Sequence, residues 1–258
     1  MGGESQDHGK IWEKELQTNC FLMTEEEIKG YKYNAKYDIS SGHTGKCEYC
    51  SGMNISIKTS GGGRIDCGDI IRFLSSEDTK LVCILYEQEY DNKIATKTIC
   101  FNINDFIVSL QSRLKINYEE WIENIKNYDS YVKSIPKGKC DKIKYPYKEK
   151  KKELCVKYFN IAPKVDSKGQ RRVQCSISMD GVKGLPSYKE FEGGKFYDKE
   201  YKKTIYSPVR SRNGITINKL KELAKENNIQ GPGKRGGWIG FKKKDYIHYL
   251  EEKGVSIP

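Results

Sequence analysis

Asp38 stands near the end of the run "YKYNAKYDIS" and Lys58 near the end of "MNISIKT". Each run alternates. Tyr33, Ala35, Tyr37 and Ile39 oppose Asn34, Lys36 and Asp38, and Ile55 and Ile57 oppose Asn54, Ser56 and Lys58. A period of two is that of a half-buried strand. If two such strands pair with their apolar faces together, Asp38, Ser56 and Lys58 converge on one polar patch. A carboxylate suits magnesium, which takes one or two carboxylates and completes its shell with waters and phosphate oxygens. A lysine beside that ion orients or deprotonates a water and offsets charge building on the phosphate. The chemistry implied is phosphodiester hydrolysis. The alternative is two ordinary strands with polar outer faces.

These residues need a scaffold that holds them. "HGKIWEKELQTNCFL" reads as an opening helix carrying Glu13, with Ile11, Trp12, Leu16 and Cys20 close to one face. The order is a helix with Glu13, a strand with Asp38, a strand with "SIK" and then a short helix around 68–76. It resembles the PD-(D/E)xK nuclease superfamily, specifically type II restriction endonucleases, over roughly residues 8–180. The resemblance implies an α/β (α+β) fold with a mixed central sheet flanked by helices. It also implies a Mg2+-dependent, sequence-specific double-stranded DNA endonuclease working as a homodimer, as cutting both strands of a palindrome favours twofold symmetry. Asp38 would then bind Mg2+, Lys58 would serve the attacking water and Glu13 would support the metal. Two positions depart from the family pattern. Tyr37 stands where proline is usual, and Ser56 stands where an acidic residue is usual. The missing carboxylate is expected from Asp69, just after the loop "SGGGRIDCGD", with Asp66 and Glu48 behind it. If no carboxylate reaches the site, the domain binds DNA without cutting it.

Cys47 and Cys50 have the C-x2-C spacing of a zinc knuckle, and His43 and Cys67 are near enough in sequence to complete four ligands. Only one such pair is present, so a reduced, partly exposed loop pair is the alternative. Nine cysteines, an odd number, with several inside apolar runs such as "LVCIL", read as reduced thiols of an intracellular, cytoplasmic protein.

In "SKGQRRVQCSIS", Val173, Cys175 and Ile177 alternate with Arg172, Gln174 and Ser176, on the second strand of a hairpin spanning "IAPKV" to "SISM". Arg pairs with guanine and Gln with adenine in the major groove, so this ribbon can read base edges. Lys168 and Arg171 would touch phosphates, which position without specifying. The competing reading is a sheet edge kept soluble by charge.

The chain divides into residues 1–180, a linker or loop over 181–213 and a compact helix–loop–helix unit over 214–258. That last unit resembles a SAP-like or Rho-N-like module, carried by "LKELAKENNI", "GPGKRGGWIGFKKK" and "DYIHYL". The resemblance implies nucleic-acid binding through Lys234, Arg235, Lys242, Lys243 and Lys244, with Trp238 and Phe241 anchoring the loop or stacking. A non-binding helical cap is the alternative, and such modules do not discriminate DNA from RNA. Net charge is +11. Residues 181–258 hold 17 Lys and Arg against 9 Asp and Glu, a local excess that fits a polyanionic partner. No apolar run is long enough to span a bilayer, and the N-terminus lacks the apolar core of a signal peptide.

Overall fold

The computed structural model describes residues 7–31, 37–50, 52–89, 92–136, 149–165, 171–207, 217–231 and 243–255. It falls into two units, Met1–Ser207 and Pro208–Pro258.

The larger unit is mixed α/β, with a mixed sheet flanked by helices. Its spine is β3 (Thr79–Glu89), which pairs in parallel with β1 (Asn54–Ser60) and antiparallel with β4 (Asn92–Asn102). Leu81 and Cys83 of β3 enter one hydrophobic core, Val82 and Ile84 the other. A strand apolar on both faces must run through the middle of a sheet. The first core is closed by α5 (Ile103–Gln111) and α6 (Tyr118–Ser134) through Phe106, Leu110, Trp121 and Ile125. The second is closed by α1 (Asp7–Glu15) through Trp12, and by a π-helical continuation, Leu16–Cys20, through Leu16 and Cys20. Asn117 caps α6 by accepting from the Glu119 and Glu120 N–H groups. Asn102 occupies the N-cap position of α5.

A second, three-stranded antiparallel sheet has the order β2 (Arg64–Asp69), β6 (Arg171–Ser178), β5 (Phe159–Val165). It packs its apolar side, Ile65, Phe159, Ile161, Val173, Cys175 and Ile177, into the first core. Asp129 of α6, 5 % exposed, ties this sheet down: its Oδ1 accepts from the Val173 N–H at 2.9 Å while Lys133 Nζ meets Oδ2 at 2.5 Å. Asp129→Ala would strand a buried N–H, so it is expected to cost about 2–3 kcal/mol, whereas Asp129→Asn keeps an acceptor and costs less. Urea unfolding midpoints of the two variants check this; equal losses would refute the role of the hydrogen bond.

Residues 181–207 are not a linker, contrary to the expectation from sequence. They form β7 (Lys189–Glu192), β8 (Lys195–Phe196), β9 (Lys199–Glu200) and β10 (Thr204–Tyr206), of which β7 and β10 both pair with β4. Phe196, Tyr201 and Ile205 are buried in the second core. Trp12 Nε1 donates to the Lys202 carbonyl at 2.9 Å, and the Lys202 N–H donates to Glu15 at 3.1 Å. Strands of two to four residues are too short to show a period, which is why they read as loop.

The small unit holds α7 (Ile217–Glu226) and α8 (Lys243–Glu252), packed through Leu220, Ala224, Tyr246 and Leu250. After α8, Gly254 takes a φ of +80°, the left-handed turn that ends helices. No helix among the described residues is long and apolar enough to cross a membrane.

Candidate functional site

Among the described residues the segment carrying Asp38 meets β1 at one bridge, Ile39 to Ile55, antiparallel, with the Asp38 N–H donating to the Ile55 carbonyl at 3.0 Å; residues 32–36 of the expected strand lie outside them. On β1 the alternation holds: Ile55 and Ile57 are buried, and Ser56 and Lys58 are half-exposed. The two segments therefore bring Asp38, Ser56 and Lys58 together. Asp38 Oδ2 accepts from the Ile57 N–H at 2.5 Å and from Ser56 Oγ at 3.4 Å, and it lies 3.5 Å from Lys58 Nζ. Lys58 Nζ also donates to the Ile57 carbonyl at 2.9 Å, which pins the amino group beside the carboxylate. Asp38 Oδ1 has no hydrogen-bond partner among the described residues.

Glu13 joins this group from α1. Burial first, and the Asp38 charge second, push its carboxyl up to about 7, against the opposing pull of Lys58 and Lys10. The structure also supplies a residue that sequence reasoning missed. Gln17, 3 % exposed on the π-helical turn, donates from Nε2 to the Asp38 carbonyl at 2.9 Å. Its signal was available: it stands four residues after Glu13, on the same face of a helix.

These side chains line one cleft of about 680 Å³ within the larger unit. Asp66 and Asp69 line it too, and a bulge explains how. Asp66 faces Ser176 while Gly68 faces Cys175, so Cys67 is an extra residue in β2. In a regular strand, residues three apart point to opposite faces; one inserted residue turns both aspartates the same way. Gly68 permits this with a φ of +77°, and its N–H donates to Asp66 Oδ1 at 2.9 Å. Asp69 Oδ1, however, accepts from the Arg72 N–H at 3.0 Å, capping α4 (Ile70–Leu74). The helix expected around 68–76 thus begins at Ile70, and Asp69 reaches the cleft wall with one oxygen already used. Glu48 does not line the cleft.

The sheet that carries Asp66 and Asp69 also brings basic residues to the cleft. Arg172 and Gln174 of β6 line the cleft, as does Lys164 of β5, the cross-strand partner of Arg172. Arg172 Nε is a buried donor with no hydrogen-bond partner among the described residues. Lys164 was missed because proline breaks the run on its strand, although alternation from Ala162 would have put it on the polar side. Arg171 is committed elsewhere: its guanidinium donates to the Ile135 carbonyl after α6, so it fastens the sheet rather than standing free for phosphate. Lys168, Lys234, Arg235, Trp238, Phe241 and Lys242 lie outside the described residues; Lys243 and Lys244 open α8, and their side chains lie outside them as well.

The four zinc candidates are not brought together. Cys67 sits against Cys175 at the bulge, beside the first core, whereas Cys47 and Cys50 are buried in the second. His43 Nδ1 lies 2.7 Å from the Tyr31 hydroxyl and 3.1 Å from Ser40 Oγ. Among the described residues no group of three or more His, Cys, Asp or Glu is spaced to hold a metal ion. Among the described residues, Asp38 and Glu13 are carboxylates that act on each other. Two are enough for an ion that keeps most of its shell as water and phosphate oxygen. An Asp38 Oδ1 without a hydrogen-bond partner among the described residues, and a neighbouring carboxyl raised by burial and like charge, are what such an ion would satisfy. Comparison with protein-family models, with curated proteins and with solved structures finds no match for the chain.

Proposed function

We propose that the larger unit is a Mg2+-dependent endonuclease for double-stranded DNA, built like a PD-(D/E)xK restriction enzyme. The observation that supports it is the convergence of Asp38, Lys58 and Glu13 in one cleft that Arg172, Gln174 and Lys164 also line. Asp38 and Glu13 would hold the ion, with Asp69 near enough on the cleft wall to extend the set if it left its cap. When bound, the ion supplies positive charge to the phosphate and acidity to a coordinated water. Lys58, pinned by the Ile57 carbonyl, orients the water and offsets charge developing on the phosphate. Ser56 donates a hydroxyl to Asp38 in place of the family's acid and so orients that carboxylate without adding charge. Glu13 exchanges a proton near neutral pH. Arg172 and Lys164 hold phosphates, and Gln174 reads a base edge.

The test is plasmid DNA with purified protein, with Mg2+ and then with chelator. Discrete fragments that need the ion support the reading; smears, or no cleavage, sink it. A second reading rests on a specific observation: Asp38 Oδ2 is already satisfied by Lys58, Ser56 and the Ile57 N–H, and no acid stands at 56. In that reading the unit is a DNA reader with a degenerate site, and tight binding with no ion-dependent cleavage identifies it. Competition between duplex DNA and RNA at equal salt separates either from an RNA-directed protein. For the basic residues of the cleft, Arg172→Gln and Lys164→Gln are each expected to lower the slope of log affinity against log salt by about 1, uniformly across sequences. Gln174→Ala is expected to relax the sequence preference instead. Unchanged slopes would remove both basic residues from the interface.

A further inference from the structure

A cysteine pair that the cleft does not use lies beside a lysine buried away from any carboxylate. Cys47 and Cys50 close a turn in which the Cys50 N–H donates to the Cys47 carbonyl at 3.0 Å. Such a turn holds its end Cα atoms within about 7 Å, a span that a disulfide bridges. The two thiols stand at the ends of that turn, and each shifts the other's titration. Cys47 is 7 % exposed and Cys50 1 %, which makes Cys47 the sulfur that a small reagent meets first.

Lys80 supplies an independent observation. It is 7 % exposed on the central strand, and its Nζ donates to the Tyr49 carbonyl at 3.0 Å and the Tyr197 hydroxyl at 3.3 Å. Among the described residues no Asp or Glu pairs with it. An amino group withdrawn from water in this way calls for a negative partner. The Cys47 sulfur provides one. The neighbouring Cys50 thiol, then backbone N–H groups and the Lys80 charge, hold Cys47 down against burial, while Cys50 is pushed up. The Tyr49 ring stacks on Tyr197 with centroids 4.0 Å apart, beside the pair.

We propose that Cys47 and Cys50 form a thiol–disulfide exchange site for low-molecular-weight disulfides, with Cys47 attacking, Cys50 resolving and Lys80 holding the Cys47 charge. The Cys47 thiolate attacks one sulfur of RS–SR, that S–S bond breaks and RS⁻ leaves. The Cys50 thiol gives its proton to that anion, and its sulfur attacks Cys47 Sγ. The second RS⁻ departs and takes a proton from water. Two protein thiols are oxidised to one disulfide, and one RS–SR is reduced to two RSH. The site is independent of the nuclease reading.

The test treats reduced, metal-stripped full-length protein with oxidised glutathione at pH 7 and maps the peptides without reductant. The Cys47–Cys50 disulfide is expected to form first, and Cys50→Ser is expected to stop at a glutathione adduct on Cys47. Lys80→Met is expected to slow alkylation of Cys47 by about tenfold. If Cys50→Ser or Lys80→Met fails to fold, the wild type still decides: iodoacetamide must modify Cys47 before Cys20 and Cys83. Oxidation of other cysteines with this pair untouched overturns the proposal. So does alkylation of Cys47 no faster than that of Cys20 and Cys83.

Discussion

Lys58→Ala is expected to lower Mg2+-dependent cleavage by about a thousandfold, the scale on which removing one preorganised charge or proton-transfer group acts, while DNA binding persists. The lysine touches little that holds the fold together: its Nζ meets the Ile57 carbonyl and Asp38, both at the cleft surface. Its loss therefore reads on chemistry. Lys58→Arg should not rescue, because a planar fork cannot replace a compact ammonium pinned by one carbonyl. Asp38 needs more care. Its Oδ2 accepts from the Ile57 N–H at 2.5 Å, so Asp38→Ala also loosens the crossing with β1. Asp38→Asn keeps an acceptor there and removes only the charge, which makes it the cleaner variant; it too should lose cleavage. Full cleavage in Lys58→Ala, measured by fragment appearance in single turnover, would remove Lys58, and with it this cluster, from the chemistry.

The parts of this site that were legible in the sequence are those set by local periodicity. Alternation put Ser56 and Lys58 on one face of β1, and helical spacing put Glu13 on α1, because both depend only on neighbours a few residues away. What escaped depends on contacts far apart in the chain. Gln17 shares a helix face with Glu13, but its bond to the Asp38 carbonyl joins residues 21 apart in the chain and shows only in the fold. Asp69 was expected at the cleft, but the bulge at Cys67 that turns it there was not, since it is defined by pairing with β6 more than a hundred residues later. Arg171 looked like Arg172 in sequence, and only the end of α6 separates their roles. The same reason made 181–207 unreadable, since those short strands have meaning only as partners of β4.

Glu13→Gln is expected to stabilise the metal-free protein at pH 8 and to leave its stability at pH 4 unchanged. Glu13 titrates at about 7 in the folded chain and near 4.5 when unfolded, so the folded state binds the proton more tightly. Its contribution is fully present below pH 4.5, falls as pH rises between 4.5 and 7, and is gone above about 7. The displacement corresponds to about 2–3 kcal/mol once partial solvent exposure is allowed for. In a unit of this size that is about 5 °C in the melting temperature. A neutral amide of the same shape removes the cost of burying charge beside Asp38, so the variant should melt higher at pH 8. Magnesium acts in the opposite sense on the pair: it should raise the melting temperature of the wild type at pH 8 and do so less for Glu13→Gln, which offers one carboxylate fewer. Thermal melts at the two pH values, each with chelator and with Mg2+, give all four comparisons. If Glu13→Gln melts lower at both pH values, the carboxyl is held by a contact that favours its charge, and the cluster with Asp38 is not the cation site argued above.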